Sequence, residues 1–166
     1  MSQTQPTLSV LFVCLGNICR SPSAHGVFRK YVADAGLSER VEVDSAGTGD
    51  WHIGKAPDRR AMAAAAARDI AIDDLRARQV NADDLARFDY VLAMDADNLE
   101  GLQQLARQGE GVCARIALFT DFSSSYRGEP VPDPYFGGED GFEHVLDMID
   151  DAAAGLLSDM QNRLST

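Results

Sequence analysis

Four short runs rich in β-branched and aromatic residues recur along the chain: LSVLFV at 8–13, VEVDS at 41–45, FDYVLAM at 88–94 and ARIALF at 114–119. Runs of this length bounded by turn residues read as buried strands. The stretches between them read as helices. Ser21-Pro22 supplies an N-cap serine and a proline at the first helical position, for a helix that runs to about Ala35 and stops at Gly36. Pro57-Asp58 opens an alanine-rich helix through AMAAAAARD at 61–69, and residues 81–87 form a short helix capped by Asn81 or Asp83. A helix at 97–108 and a loop at 120–138 follow. The last helix covers roughly 140–162, with Phe142, Val145, Leu146, Ile149, Leu156 and Leu157 at near-helical spacing. Strands alternating with helices predict an α/β fold built on a parallel sheet. A chain of 166 residues reads as a single domain, 1–166, with its core at about 7–162.

Parallel sheets of this kind bind ligands beyond the carboxyl ends of their strands. The topology therefore gathers Cys14–Ser21, Ser45–Trp51 and Asp133–Tyr135 on one edge. The first of these segments, CLGNICRSP, turns from a strand into a helix N-terminus, where backbone N–H groups and the helix dipole make an anion cradle. Arg20 adds a planar fork of donors, Gly16 allows close backbone approach, and Asn17 tolerates a left-handed backbone. The same cation and dipole favour the thiolate form of Cys14, which is then placed for in-line attack on a bound phosphorus. A nucleotide-binding P-loop would need GxxxxGK[ST], which the chain lacks.

Charge and cysteine usage narrow the function further. A net charge of −11 repels nucleic acid and anionic membrane surfaces, so neither is expected as a partner, and an anionic ligand must be held by a concentrated local feature. Cys14, Cys19 and Cys113 are too few and too unevenly spaced for a disulfide framework or a four-ligand zinc site, so no metal and no cofactor are expected. Cys113, just before the fourth strand, is expected in the core. No apolar run is long enough to span a membrane and the N-terminus does not read as a secretory signal, which predicts a cytoplasmic protein.

CLGNICRSP matches the CxxxxxRS loop of the low-molecular-weight protein tyrosine phosphatases. The resemblance extends to DSAGT at 44–48, Trp51, FDYVLAMD at 88–95 and VPDPY at 131–135, in the family's order and across nearly the whole chain. It implies the phosphotyrosine phosphatase I fold, a Rossmann-like four-stranded parallel sheet with helices on both faces. It also implies that Cys14 is a nucleophile forming a phosphocysteine intermediate, and that Arg20 clamps the equatorial oxygens of the phosphoryl group. Leu15, Gly16, Asn17, Ile18 and Cys19 bind phosphate through the loop. Ser21 stabilises the thiolate as leaving group and also organises the helix start.

On the same resemblance Asp133 is the general acid and then the general base; it must carry a proton at working pH, which nearby phosphate charge favours. Trp51 and Tyr135 wall an aromatic leaving group. Asn17 and Ser45 hold the strained loop by hydrogen bonds from behind. Asp95 either steadies Arg20 or caps the following helix. Cys19 is either a redox partner of Cys14 or a small apolar filler.

Three stretches depart from the family pattern. Leu75 stands where a histidine is frequent, which predicts a weaker network behind Asn17. Ser23 and His25 stand where a hydrophobe and a glutamate are usual, and Phe136 replaces the second residue of a Tyr-Tyr pair. The predicted activity is metal-independent hydrolysis of phosphotyrosine in proteins, and of small aryl phosphates. A tyrosine kinase is one candidate partner, and a monomer or weak homo-oligomer is expected. Two rivals are a thioredoxin-coupled arsenate reductase, which needs two further cysteines on a mobile segment, and a non-catalytic phosphoprotein-binding module, which should lack the nucleophile or the acid.

Overall fold

The computed structural model describes residues 7–134 and 139–165. Strands β1 (Leu8–Cys14), β2 (Val41–Gly47), β3 (Tyr90–Ala93) and β4 (Arg115–Leu118) form one sheet in the order β2-β1-β3-β4. All three pairings are parallel. Helices α1 (Arg20–Asp34), α2 (Arg59–Ala66), α3 (Ala82–Arg87), α4 (Ala96–Gln108) and α5 (Glu139–Leu164) connect and cover the strands. The β1 run shows why both faces are covered. Val10, Phe12 and Cys14 point into a core shared with α1, α2 and α5, while Leu11 and Val13 point into a second core with α3 and α4. A continuous apolar run, split by the period-two pleat, thus supplies two layers at once.

Local chemistry sets most of the helix ends. Asp58 caps α2 by accepting from Arg60 N at 2.8 Å, and Asn81 and Asp84 form a reciprocal capping box on α3. Past α1, Gly36 takes φ +74° and its N–H reaches Ala33 O while Leu37 N–H reaches Val32 O, which closes the helix as a Schellman turn. The start of α1 differs from the sequence expectation: the cap position is Cys19, not Ser21, and no side chain caps it. Ser21 is already inside the helix because its hydroxyl is engaged elsewhere, as described below.

Strand β2 runs two residues past the expected 45, because Gly47 N–H bonds Arg78 O and Gly47 O receives Val80 N–H, both at 2.8 Å. Strand β4 ends at Leu118, one residue short of the expected 119, and the chain forms a 3-10 turn at Phe119–Phe122 that runs into the expected loop; Phe119 packs at a tilt against Phe12 with ring centres 4.8 Å apart. Cys113 is exposed rather than in the core, with its thiol 3.0 Å from Ala86 O. Among the described residues no helix is long and apolar enough to cross a membrane.

Gly155 is where α5 crosses that 3-10 turn. A Cβ there would lie 1.7 Å from Phe122 O and 2.8 Å from its carbonyl carbon, both main-chain atoms that cannot rotate away. Gly155→Ala is therefore expected to cost about 3 kcal/mol and to lower the thermal midpoint by about 6–12 °C, read by calorimetry. A midpoint unchanged within a degree would show that the two elements are not held in that contact.

Candidate active site

The strand order places β1 at the centre, with the chain moving to β2 on one side and then to β3 on the other. The crevice at this reversal lies off the carboxyl ends of β1 and β3. Cys14 ends β1 there, opposite Gly47, and Met94 N–H bonds Val13 O at 3.1 Å. The same edge receives the later loop, because Val131 N–H bonds Met94 O at 2.8 Å and so brings Asp133 over the crevice. A cleft of about 150 Å³ results, lined by Cys14, Leu15, Gly16, Ile18, Cys19, Arg20, Trp51, His52 and Asp133.

Cys14 lies on the cleft floor, 2 % exposed. Its sulfur receives Asn17 N–H at 3.3 Å and lies 3.0 Å from Ser21 Oγ. Asn17 Nδ2 donates to Ser21 Oγ at 2.7 Å, which leaves the single hydroxyl proton to point at Cys14 Sγ or at Ala46 O, 3.3 Å away. Asn17 adopts φ +58°, the strained left-handed region for a side-chain-bearing residue. Both ends of its amide are tied, since Oδ1 accepts Arg78 N–H at 3.0 Å. Arg78 is in turn fixed between Asp44 at 3.0 Å and Asp84 at 3.1 Å. Leu75 is half-buried against the apolar core and leaves no end of the Asn17 amide unpaired. The weakening expected from Leu75 is not found, because a backbone N–H does the holding. Gly47 closes the underside of the loop: a Cβ there would meet Leu15 O at 2.7 Å.

Arg20 is buried, yet its guanidinium is held by charge. Nη1 donates to Asp95 Oδ2 at 2.6 Å and to Val131 O at 3.1 Å, while Nη2 lies 3.7 Å from Asp133 Oδ2. Burial works against its charge, but Cys14, Asp95 and Asp133 hold its pKa above the ordinary arginine value. Asp95 takes both roles open to it in the sequence, because its other oxygen caps α4 by accepting Asn98 N–H at 2.8 Å. Cys19 differs sharply in character from a nucleophile. Burial first, then Asp58, Cys14 and Asp133, push its pKa up to about 12, so it is a neutral thiol at neutral pH. Both cysteines of the loop are free.

Trp51 is 66 % exposed and its ring packs against Gly49, where a Cβ would come within 1.9 Å of it. That ring is one wall at the mouth; Tyr135, the expected second wall, lies outside the described residues. His52 was not singled out in the sequence. It packs over Gly16, 3.0 Å from where a Cβ would sit, and its position beside Trp51 in a glycine-rich loop was the available signal.

Ser45 is placed differently from the expectation. Its hydroxyl pairs with His25 Nδ1 at 2.9 Å instead of reaching the loop. His25 follows Ser21 by one helical turn, so α1 is attached to β2 at two successive points, Ser21 to Ala46 O and His25 to Ser45. Burial, then the Arg29 charge, lowers the His25 pKa to about 4, against weaker opposing effects of Asp44 and Asp74. The unfolded chain binds that proton more readily, so stability falls as pH drops from about 6.5 to about 4. His25→Asn keeps a polar atom toward Ser45 without a titrating group. It is expected to remove on the order of 3 kcal/mol of acid destabilisation over that window, read as a flatter pH dependence of urea unfolding. Parallel pH slopes for the two proteins would refute the assignment.

Fold and cleft together define an α/β protein with a cysteine-arginine anion loop at the carboxyl edge of its sheet and a carboxylate poised across from the sulfur. Residues 9–166 match the family model for low molecular weight phosphotyrosine protein phosphatases. A low molecular weight protein-tyrosine-phosphatase of Streptomyces coelicolor is 44% identical over 160 residues, covering 95% of this chain and 96% of that protein. The human low molecular weight phosphotyrosine protein phosphatase is 43% identical over 141 residues, 85% of this chain and 88% of its own. The crystal structure of YfkJ from Bacillus subtilis superposes with a TM-score of 0.87 at 38% identity, covering 97% of this chain and 99% of that one. The chain belongs to the low molecular weight phosphotyrosine protein phosphatase family, and it is a phosphatase.

Proposed function

We propose that the protein hydrolyses phosphotyrosine in proteins through a phosphocysteine intermediate. The observation that carries this reading is the placement of Cys14 Sγ on the cleft floor, 3.0 Å from Ser21 Oγ and 3.3 Å from Asn17 N, with Arg20 and Asp133 3.7 Å apart above it. The Cys14 sulfur attacks phosphorus in line, forming an S–P bond as the P–O bond to the phenol breaks. The loop N–H groups from Leu15 to Cys19 and the Arg20 fork hold the three equatorial oxygens, where charge accumulates. Asp133 gives its proton to the departing phenolate oxygen. The resulting carboxylate takes a proton from the water that attacks phosphorus in the second step, the S–P bond breaks, and Ser21 donates to the departing thiolate. Inorganic phosphate leaves.

A partly exposed tryptophan at the mouth suits an aryl leaving group, and the small floor suits a terminal phosphate. On this reading the substrate is a phosphotyrosine-bearing protein, a tyrosine kinase among the candidates, met in the cytoplasm by a one-domain enzyme. The arsenate-reductase alternative needs a thiol relay. Cys113 precedes β4 and so sits at the amino edge of the sheet, opposite Cys14, where it cannot take part. The test is turnover of para-nitrophenyl phosphate in chelator, with an alkaline denaturing quench of the working enzyme, which preserves an S–P bond, followed by mass spectrometry. One phosphoryl group on the peptide carrying Cys14 is the expected result. Turnover with no labelled enzyme, or label on another residue, would overturn the mechanism.

A further inference from the structure

A second groove lies beside the catalytic cleft, between α2 and α5. It has a volume of about 530 Å³ and is lined by Arg59, Arg60, Ala63, Ala64, Ala67, Phe142 and Glu143. The two depressions are neighbours through α2. Asp58 N–H, at the head of that helix, bonds Ile18 O of the phosphate loop at 2.8 Å, and the charges of Asp58 and Arg60 both act on Cys19, which lines the cleft. On the other side the first turn of α5 adjoins the segment that carries Asp133: a Cβ on Gly141 would lie 3.6 Å from Pro134 Cβ. A chain leaving the cleft past Asp58 therefore enters this groove.

The charges in the groove are not self-compensating. Arg60 is tied back to Asp58 at 3.1 Å and lies over the Phe142 ring, 5.0 Å from its centre, which fixes one rim. Glu143, the carboxylate of the groove, is engaged by Arg68 at 2.9 Å. Arg59 is exposed and, among the described residues, has no carboxylate at ion-pair distance. Residues 51–60 carry three cations and one carboxylate, a local excess of positive charge in a chain of net −11. The floor is made of the alanine side chains of α2 and its C-cap, low enough for an extended backbone to lie across them. A cation without a carboxylate beside a shallow apolar floor fits an acidic segment of polypeptide.

We propose that this groove docks acidic residues flanking the phosphotyrosine of a polypeptide substrate, with Arg59 as the reading cation. The inference rests on the phosphotyrosine reading above and adds to it which substrates are preferred. An exposed ion pair of this kind is worth up to about 1 kcal/mol, so an aspartate or glutamate placed against Arg59 should raise kcat/KM by about threefold to fivefold at low ionic strength. Screening should erase the gain at about 1 M salt.

The experiment compares kcat/KM on two phosphotyrosine peptides of equal length, one with aspartates and one with serines around the phosphotyrosine, for the wild type, Arg59→Gln and Arg59→Glu. Para-nitrophenyl phosphate serves as the common reference, since it does not reach the groove. The expected result is an acidic preference in the wild type, absent in Arg59→Gln and reversed in Arg59→Glu, with the reference turnover unchanged in all three. No acidic preference in the wild type, or the same preference in all three proteins, would overturn docking while leaving the phosphatase reading intact. Failure of the wild type on the reference compound would instead strike the catalytic reading.

Discussion

Cys14→Ser is expected to lower kcat on para-nitrophenyl phosphate by about 10⁴-fold or more while leaving the protein folded and able to bind inorganic phosphate. The size of the loss follows from what surrounds the sulfur. Asn17 N–H, Ser21 Oγ and the start of α1 favour an anion already formed, but none is a base able to take a proton from an alcohol. Asp133 is across the cleft and, on the proposed mechanism, gives its proton to the leaving group. A serine hydroxyl, a far weaker acid than a thiol, therefore stays protonated. Folding should survive, because the new oxygen occupies less space than sulfur and keeps its neighbours as hydrogen-bond partners. Arg20 keeps Asp95 and Val131 O, so the cradle persists. A phosphate-dependent rise in thermal midpoint, similar in wild type and variant, would show this. Residual turnover within tenfold of wild type would rule Cys14 out as the nucleophile.

Much of this arrangement is legible in the sequence, and the reasons differ from residue to residue. The strands were visible because a fully covered parallel sheet needs uninterrupted apolar runs, as in LSVLFV, where alternate residues serve the two cores. Cys14, Arg20 and Ser21 were visible because they share one turn of chain, so local sequence alone fixes their proximity. Helix ends were legible where a side chain does the capping, as at Asp58 and Asn81. The start of α1 was misplaced because Ser21 has the composition of a cap but spends its hydroxyl on Cys14, Asn17 and Ala46 O. Hydrogen bonds within the loop and to β2 displaced the local rule there.

Residues that act across long stretches of sequence were the hardest to assign. Arg78 supports Asn17 through a main-chain N–H, and no side-chain pattern announces a backbone donor. Ser45 lies one strand away from the loop, and only the packing of α1 decides that His25 is its partner. Asp95 could be read as a support for Arg20 or as a helix cap, and two carboxylate oxygens allow it to be both. Cys113 resembles a core residue by type, but the turn before β4 is exposed and its thiol meets a backbone carbonyl there. Leu75 stands where the resemblance leads one to expect a histidine. Its physical surroundings are simply apolar.

Asp133→Asn should separate acid catalysis from phosphate binding. An amide cannot give a proton to a departing phenolate, so turnover of a phosphotyrosine peptide, whose phenol has a pKa of about 10, is expected to fall by about 10²–10³-fold. Para-nitrophenyl phosphate should lose much less, because its phenolate leaves readily without a proton. Binding moves the other way. The Asp133 carboxylate lies 3.7 Å from Arg20 Nη2, and removing its negative charge leaves the guanidinium still anchored by Asp95 but facing a less anionic cleft. Inorganic phosphate should therefore inhibit the variant as strongly as the wild type or more strongly. An equal loss on both substrates with weaker phosphate inhibition would mean that Asp133 shapes the phosphate site through Arg20. A loss confined to the poor leaving group, with phosphate inhibition kept, is the signature of a proton donated during P–O cleavage.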